Sequence, residues 1–189
     1  SYLVLAICFF VAAAIIENYL LKEHPENHLI EEIQEKLIAN EKELLFHLEK
    51  IAELISSNDF DGDFNSYLNE NNLLLEENGT GFLVFKSGDL QYWSDRSISF
   101  FHTIGEMGDA NGLIQLPNGY YLAHTFTKNE FDIVGLLLIK NSYQYENKYL
   151  KNSYFKNLKI PDEFELSDLK LDSAYPIINT DGDFLFSII

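Results

Sequence analysis

Three patterns of apolar and polar positions follow one another along the chain. From Tyr2 to Ile16 every position is apolar (YLVLAICFFVAAAII), and the first charge is Glu17. A bilayer-spanning helix needs roughly 20 apolar residues at about 1.5 Å rise each. The run is slightly short, and with Ser1 rather than Met at its start its upstream end is expected to be missing. A core helix fits poorly, because apolar side chains surround this segment with no polar face. A cleavable signal peptide competes through Ala12, Ala13 and Ala14, but no A-x-A boundary followed by a turn is visible and the helical pattern continues. Residues 1–21 are therefore expected to form an uncleaved transmembrane anchor. Lys22 is the single basic residue among the first 35, so the downstream part is expected to face away from the cytoplasm.

The second pattern is helical. Residues 22–57 are expected to form one long membrane-proximal helix, most regular from Glu26 to Ser57. Ile30, Ile33, Leu37, Leu44, Ile51 and Leu54 recur at spacings of three, four and seven, and Ile38, Leu45, Leu48, Ala52 and Ile55 widen the stripe beyond a strict coiled-coil seam. The opposite face carries Glu31, Glu32, Glu35, Lys36, Glu41, Lys42, Glu43, Glu49, Lys50 and Glu53. Pro25 suits the first turn, where its missing N–H costs nothing. Some 32 helical residues would span about 48 Å, more than one small domain covers, so part of the stripe is expected to meet a second copy. Asn40 and His47 fall at heptad d positions and weaken a pure coiled coil, which leaves open a helix packed wholly on its own sheet.

The third pattern has a period of two. Asn58 to Gly62 breaks the helix, and Phe64 to Glu76 predicts a shorter one ending near Gly79. Residues 81–94 (GFLVFKSGDLQYWS) predict a hairpin about Ser87-Gly88-Asp89. A second hairpin runs Leu113–Leu116, Pro117-Asn118-Gly119, Tyr120–Thr127, and Phe131–Lys140 is apolar enough to be a central strand. Tyr143 to Phe155 predicts a short aromatic helix or loop-helix, and Tyr175 to Ile189 a last hairpin turned at Asp181-Gly182-Asp183. The fold class is α+β: an N-terminal membrane helix, then a long amphipathic helix packed on an antiparallel sheet of five or six strands, with 58–189 as one domain.

Composition narrows the function. Thirty acidic residues against 13 basic ones give a net charge of -17, which argues against nucleic-acid binding, since that affinity comes from clustered Lys and Arg. The single cysteine, Cys8, lies inside the apolar run, so neither a disulfide framework nor a multi-cysteine zinc site is available. All the charge lies beyond Ile16.

Candidate chemistry is sparse. Asp59, Asp61, Asp63 and Glu70 imitate a calcium loop, but Phe64 stands where glycine is required; an acidic cap on the next helix accounts for the same residues. His24 and His28 share an i,i+4 spacing without a third metal ligand. His47 reads as a helix-face histidine, and no cofactor is expected. Asn78-Gly79-Thr80 is a glycosylation sequon, meaningful only in a glycosylating source. No Ser-His-Asp grouping, paired acid motif or phosphate loop is present. The strongest cluster is Tyr92-Trp93-Ser94-Asp95-Arg96, which sets the only Trp beside an Asp and the only Arg. With Tyr121 and His124 from the next hairpin, Tyr92, Trp93, Asp95 and Arg96 predict a small-ligand pocket of aromatic walls and a few polar groups. A core Trp93 with Asp95 and Arg96 as a surface pair is the competing reading.

The phrases Phe82-Leu-Val-Phe85 with Leu90-Gln-Tyr-Trp-Ser-Asp95, Leu116-Pro-Asn-Gly-Tyr-Tyr121, Gly135-Leu-Leu-Leu-Ile-Lys140 with Tyr145-Glu-Asn-Lys-Tyr-Leu150, and Pro176 through Phe186 occur in this order behind an apolar segment and a long helix. That arrangement resembles the extracytoplasmic Cache/PAS-like sensor region of bacterial membrane-bound sensor histidine kinases. The resemblance implies a non-catalytic sensing module in the bacterial inner (cytoplasmic) membrane with its globular part periplasmic. It implies the membrane and a small-molecule ligand as partners, with catalysis elsewhere in a longer receptor; the second copy joined through the long helix is expected from the apolar stripe. No second membrane helix, HAMP module or kinase core is seen. A chemoreceptor or cyclase sensor, or an anchored structural or adhesion domain, are the alternatives.

Overall fold

A computed structural model of the chain describes residues 25–55, 60–71, 73, 75–98, 103–107 and 110–189. The apolar segment read as an anchor lies outside these residues, as do Cys8, His24 and Asp59. Among the described residues no helix is long and apolar enough to cross a membrane.

The helical stripe forms α1 (Pro25–Leu54), 30 residues and about 45 Å long. Ile33, Leu37, Leu44, Leu48, Ile51 and Ala52 are buried, so both predicted stripes enter the core. Glu41 corrects the expected polar face: it is 1 % exposed. The helix has no basic residue in its last turn, and Lys128 from the sheet supplies one, donating from Nζ to the carbonyl of Ala52 at 2.7 Å.

The next helix, α2 (Phe60–Glu70), starts inside the stretch expected to break the chain. Phe60 and Phe64 stack one turn apart at 5.4 Å, and that apolar pair draws Asp61 and Gly62 into the first turn. A single turn, α3 (Leu75–Asn78), leads into the sheet.

Five strands follow: β1 (Thr80–Lys86), β2 (Asp89–Trp93), β3 (Gly112–Leu116), β4 (Gly119–Lys128) and β5 (Phe131–Asn141). They pair antiparallel in the order β2-β1-β5-β4-β3, with the apolar β5 in the centre as its composition predicts. The β1–β2 turn places both Ser87 and Gly88 at positive φ, the geometry that matches the right-handed twist of a hairpin. The final hairpin does not extend this sheet. It joins a short strand absent from the sequence reading in a second sheet of order β6-β8-β7, formed by β6 (Leu166–Ser167), β7 (Tyr175–Ile178) and β8 (Phe184–Ile188).

Residues 143–153 form an irregular loop instead of the expected helical segment. Asn147 Oδ1 accepts from the backbone N–H groups of Tyr149 and Leu150, and Asn152 Oδ1 from that of Tyr143, so side chains take donors a helix would have used.

Register assigns the faces of the large sheet. His124, Gly135 and Phe82 lie opposite one another on β4, β5 and β1. A Cβ added to Gly135 would sit 2.9 Å from Leu48 and 3.0 Å from Leu44, so this row faces α1. The alternate row, including Gly81, Leu83, Tyr121 and Leu138, faces away. Ile98 covers that far face over Gly81, and Phe155 packs against Gly79.

Candidate functional site

Strand alternation divides the predicted cluster. Tyr92 pairs with Val84 and points toward the helices, meeting Phe60 edge-on at 4.9 Å between ring centroids. Trp93 pairs with Leu83 on the opposite face and is 41 % exposed. Asp95 accepts from both the N–H and the hydroxyl of Ser97, at 2.8 and 2.6 Å, closing a tight turn. Among the described residues no ion pair joins Asp95 to the exposed Arg96. Tyr121 is fully buried on the far face, while His124 lies on the helix face. The structure therefore brings Tyr121 and Asp95 to one side of the sheet and sends Tyr92 and His124 to the other. A hollow of about 280 Å³ between α2 and β2 is lined by Tyr92 and Trp93 but by none of the other four.

Of the calcium-loop residues, Asp59 lies outside the described residues. Asp61, Asp63 and Glu70 lie on one continuous helix, where Glu70 stands about 10 Å along the axis from Asp63, and no acidic or histidine cluster suited to a metal occurs among the described residues. Asp61 and Asp63 complement the helix N-terminus. His28 is exposed beside Glu31.

A second cleft, about 320 Å³, lies on the far face at the β5 exit. Leu75, Leu138, Tyr154 and Phe155 give it apolar walls, and Ser97, Asn118, Asn141, Tyr143, Ser153 and Lys156 supply polar groups. Asn118 organises it from the β3–β4 turn, which the sequence identifies only as a turn. Its Nδ2 donates to the carbonyl of Ser97 and to the hydroxyl of Tyr121, each at 2.9 Å. A carbonyl can only accept, which fixes the amide orientation. Both N–H groups are then committed, and the buried Oδ1 has no partner among the described residues. Burial pushes the Tyr121 phenol up to about 12, against a smaller opposing effect of the Asn118 hydrogen bond; Tyr143 and Asp95 add to the rise. Burial likewise raises Tyr154, with Glu165 and Asp162 contributing. Both phenols stay protonated at neutral pH. They suit hydrogen bonding and apolar contact rather than proton abstraction.

Behind the sheet, Glu41 of α1 gathers a polar junction. Its carboxylate meets His124 Nε2 at 2.7 Å and accepts from the N–H and hydroxyl of Thr180 at 2.7 and 2.6 Å. Burial acts to raise its pKa, but the hydrogen bonds from His124 and Thr180 outweigh this and hold it below the ordinary carboxylate value. One side chain thus joins the long helix, strand β4 and the β7–β8 turn. Another histidine, the buried His47, lies with Nδ1 2.7 Å from the Tyr67 hydroxyl, pinning α2 to α1. Neither junction is visible as a motif, because its members are up to 139 residues apart. In comparisons with known proteins, the chain matches no family model, no curated protein and no solved structure.

Proposed function

We propose that the chain is the extracytoplasmic sensing part of a membrane-anchored receptor, of the Cache/PAS-like kind found in bacterial sensor histidine kinases. In this reading the 320 Å³ cleft takes a small polar ligand, and α1 carries the response toward the membrane as a homodimer. The observation that carries it is the double role of β4. Tyr121 stands behind the cleft on one face of the strand, and three residues on His124 holds Glu41 of the long helix from the other. A ligand bound against Asn118 and Tyr121 bears on the strand that grips the helix, and it shifts the helix only as far as it binds one arrangement better than the other. The half-buried Ile38 and Leu45, with exposed Phe46, leave an apolar strip on α1 for a second copy.

A thermal-shift screen of small polar organic molecules tests this reading. A compound is expected to raise the melting temperature of the native chain but not of Asn118→Leu. His124→Leu should still bind it while losing the ligand-dependent change in distance between spin labels on α1 and β1. A panel that shifts both chains equally would sink the reading.

A further inference from the structure

We propose that loop 141–153 is a membrane-contact surface that rests on anionic lipid headgroups; this builds on the anchored reading above. The loop is built to present apolar side chains outward. Tyr145 is 84 % exposed and Tyr149 81 %, the two highest exposures of large apolar side chains among the described residues, and Leu150 beside them is 41 % exposed. Flexibility does not explain them, because the loop is closed and braced. The Asn141 N–H donates to the Ser153 carbonyl across its base. Glu146 accepts from the Asn152 N–H at 2.6 Å, and Asn147 holds the Tyr149–Leu150 turn by two backbone bonds. A surface ordered beforehand loses less entropy on docking.

Charge selects the occupant. The chain carries -17, yet residues 140–156 hold Lys140, Lys148, Lys151 and Lys156 against Glu146, which the loop uses internally, and Asp162, which lines a hollow with Lys151, so the basic side chains still prevail. Lys148 lies 4.6 Å from the Tyr149 ring centroid, so cation and aromatic present one combined surface. Tyrosine rings beside lysines suit the headgroup zone, where the ring is half-wet and the cation meets lipid phosphate.

Position agrees. β5 runs back along α1: Lys128 bonds Ala52 near the helix C-terminus, Gly135 faces Leu44 and Leu48, and beyond the loop Lys159 reaches Glu32 at 3.0 Å. The loop therefore leaves the sheet toward the first turns of α1. In sequence, the apolar run ends at Ile16, so the link to Pro25 reaches at most about 30 Å. The pole carrying Tyr145 and Tyr149 is thus the one held near the bilayer.

Lysine acetylation of the full chain, read residue by residue by mass spectrometry in phosphatidylglycerol and in phosphatidylcholine nanodiscs, tests the contact. Lys148 and Lys151 are expected to react about tenfold more slowly in the anionic discs, with the difference shrinking in high salt. Lys86, at the far end of β1, serves as reference and should react equally in both. Tyr145→Ser with Tyr149→Ser, both at exposed positions, should restore most of the reactivity. Retention of the chain after an alkaline wash reports the anchor separately. A retained chain with equal Lys148 and Lys151 rates in both lipids overturns the loop contact alone. Protection that instead rises with protein concentration in detergent would assign the loop to a second copy and overturn it too. Loss of the chain in the wash would overturn the anchor, and the contact with it.

Discussion

His124 Nε2 lies 2.7 Å from the Glu41 carboxylate across the interface between β4 and the long helix. Because the carboxyl is held ionised, the imidazole must donate through Nε2. The contact fixes the rotation of α1 over the sheet, since Glu41 at the same time accepts two bonds from Thr180 on the neighbouring hairpin. Three separate parts of the fold converge on one pair of oxygens.

Breaking this junction should be asymmetric. His124→Leu leaves a buried carboxylate with only Thr180, at a cost of about 3 kcal/mol. Glu41→Leu leaves the His124 Nε2–H and the Thr180 N–H without their acceptor, at about 1–2 kcal/mol. The double variant should cost no more than His124→Leu alone. Urea unfolding of the three variants checks the order, and simple addition of the two single losses would refute the coupling.

Acid should weaken the fold in two windows. Burial lowers the pKa of His47 from its usual 6.5, with Glu43 opposing in part, so the unfolded chain takes up a proton before the folded one. Its contribution is complete above about pH 6.5 and is lost as pH falls toward the depressed folded value. Glu41 behaves likewise one window lower: its stabilisation is present above the ordinary carboxylate value of 4.5 and is lost as pH falls through the lower folded value. Stability measured between pH 7.5 and 3.5 should lose the upper slope in His47→Phe and the lower one in Glu41→Leu. A His47→Phe curve parallel to the native one would contradict the assignment.

Local periodicity made much of this legible. The buried positions of α1, the two hairpins and the central β5 follow from spacings and turn residues that act within a few positions. The predicted site was half legible: Tyr121 and Asp95 do share a side, but Tyr92 and Trp93, adjacent in sequence, necessarily point to opposite faces of β2. Glu41 was misread because an isolated acid among glutamates looks solvated until a histidine 83 residues away is known to face it. Asn118 hid in a turn for a related reason: Tyr121 is three residues on, but Ser97 lies 21 residues away and reaches it only where residues 94–98 pack over the far face.

Two glycines should respond differently to alanine. At Gly135 the new Cβ meets the side-chain ends of Leu48 and Leu44 at 2.9 and 3.0 Å, and these can shift. At Gly119 it meets the carbonyl oxygen of Lys140 at 2.5 Å, which is paired backbone and cannot give way. Gly135→Ala is therefore expected to cost about 1 kcal/mol and Gly119→Ala about 2–3 kcal/mol. Denaturation midpoints in the reverse order would show that the helix, rather than the hairpin, is the rigid partner.

The second sheet depends on a glutamine acting as a strand. Gln34 Nε2 donates to the carbonyl of Ile178 at 2.7 Å, and its Oε1 accepts from the Ile178 N–H at 2.9 Å. Ile178 lies on β7, an edge strand, so the side chain completes a ladder that would otherwise end open. Gln34→Leu removes both bonds and should cost about 1–2 kcal/mol, with hydrogen exchange of the Ile178 amide accelerated far more than that of buried β5 amides. Gln34→Glu keeps the acceptor but sets a carboxylate against the Ile178 carbonyl, which can only accept. It should retain most protection of the Ile178 amide while still losing stability. Equal exchange in both variants would show that α1 holds β7 by packing alone, not by this amide.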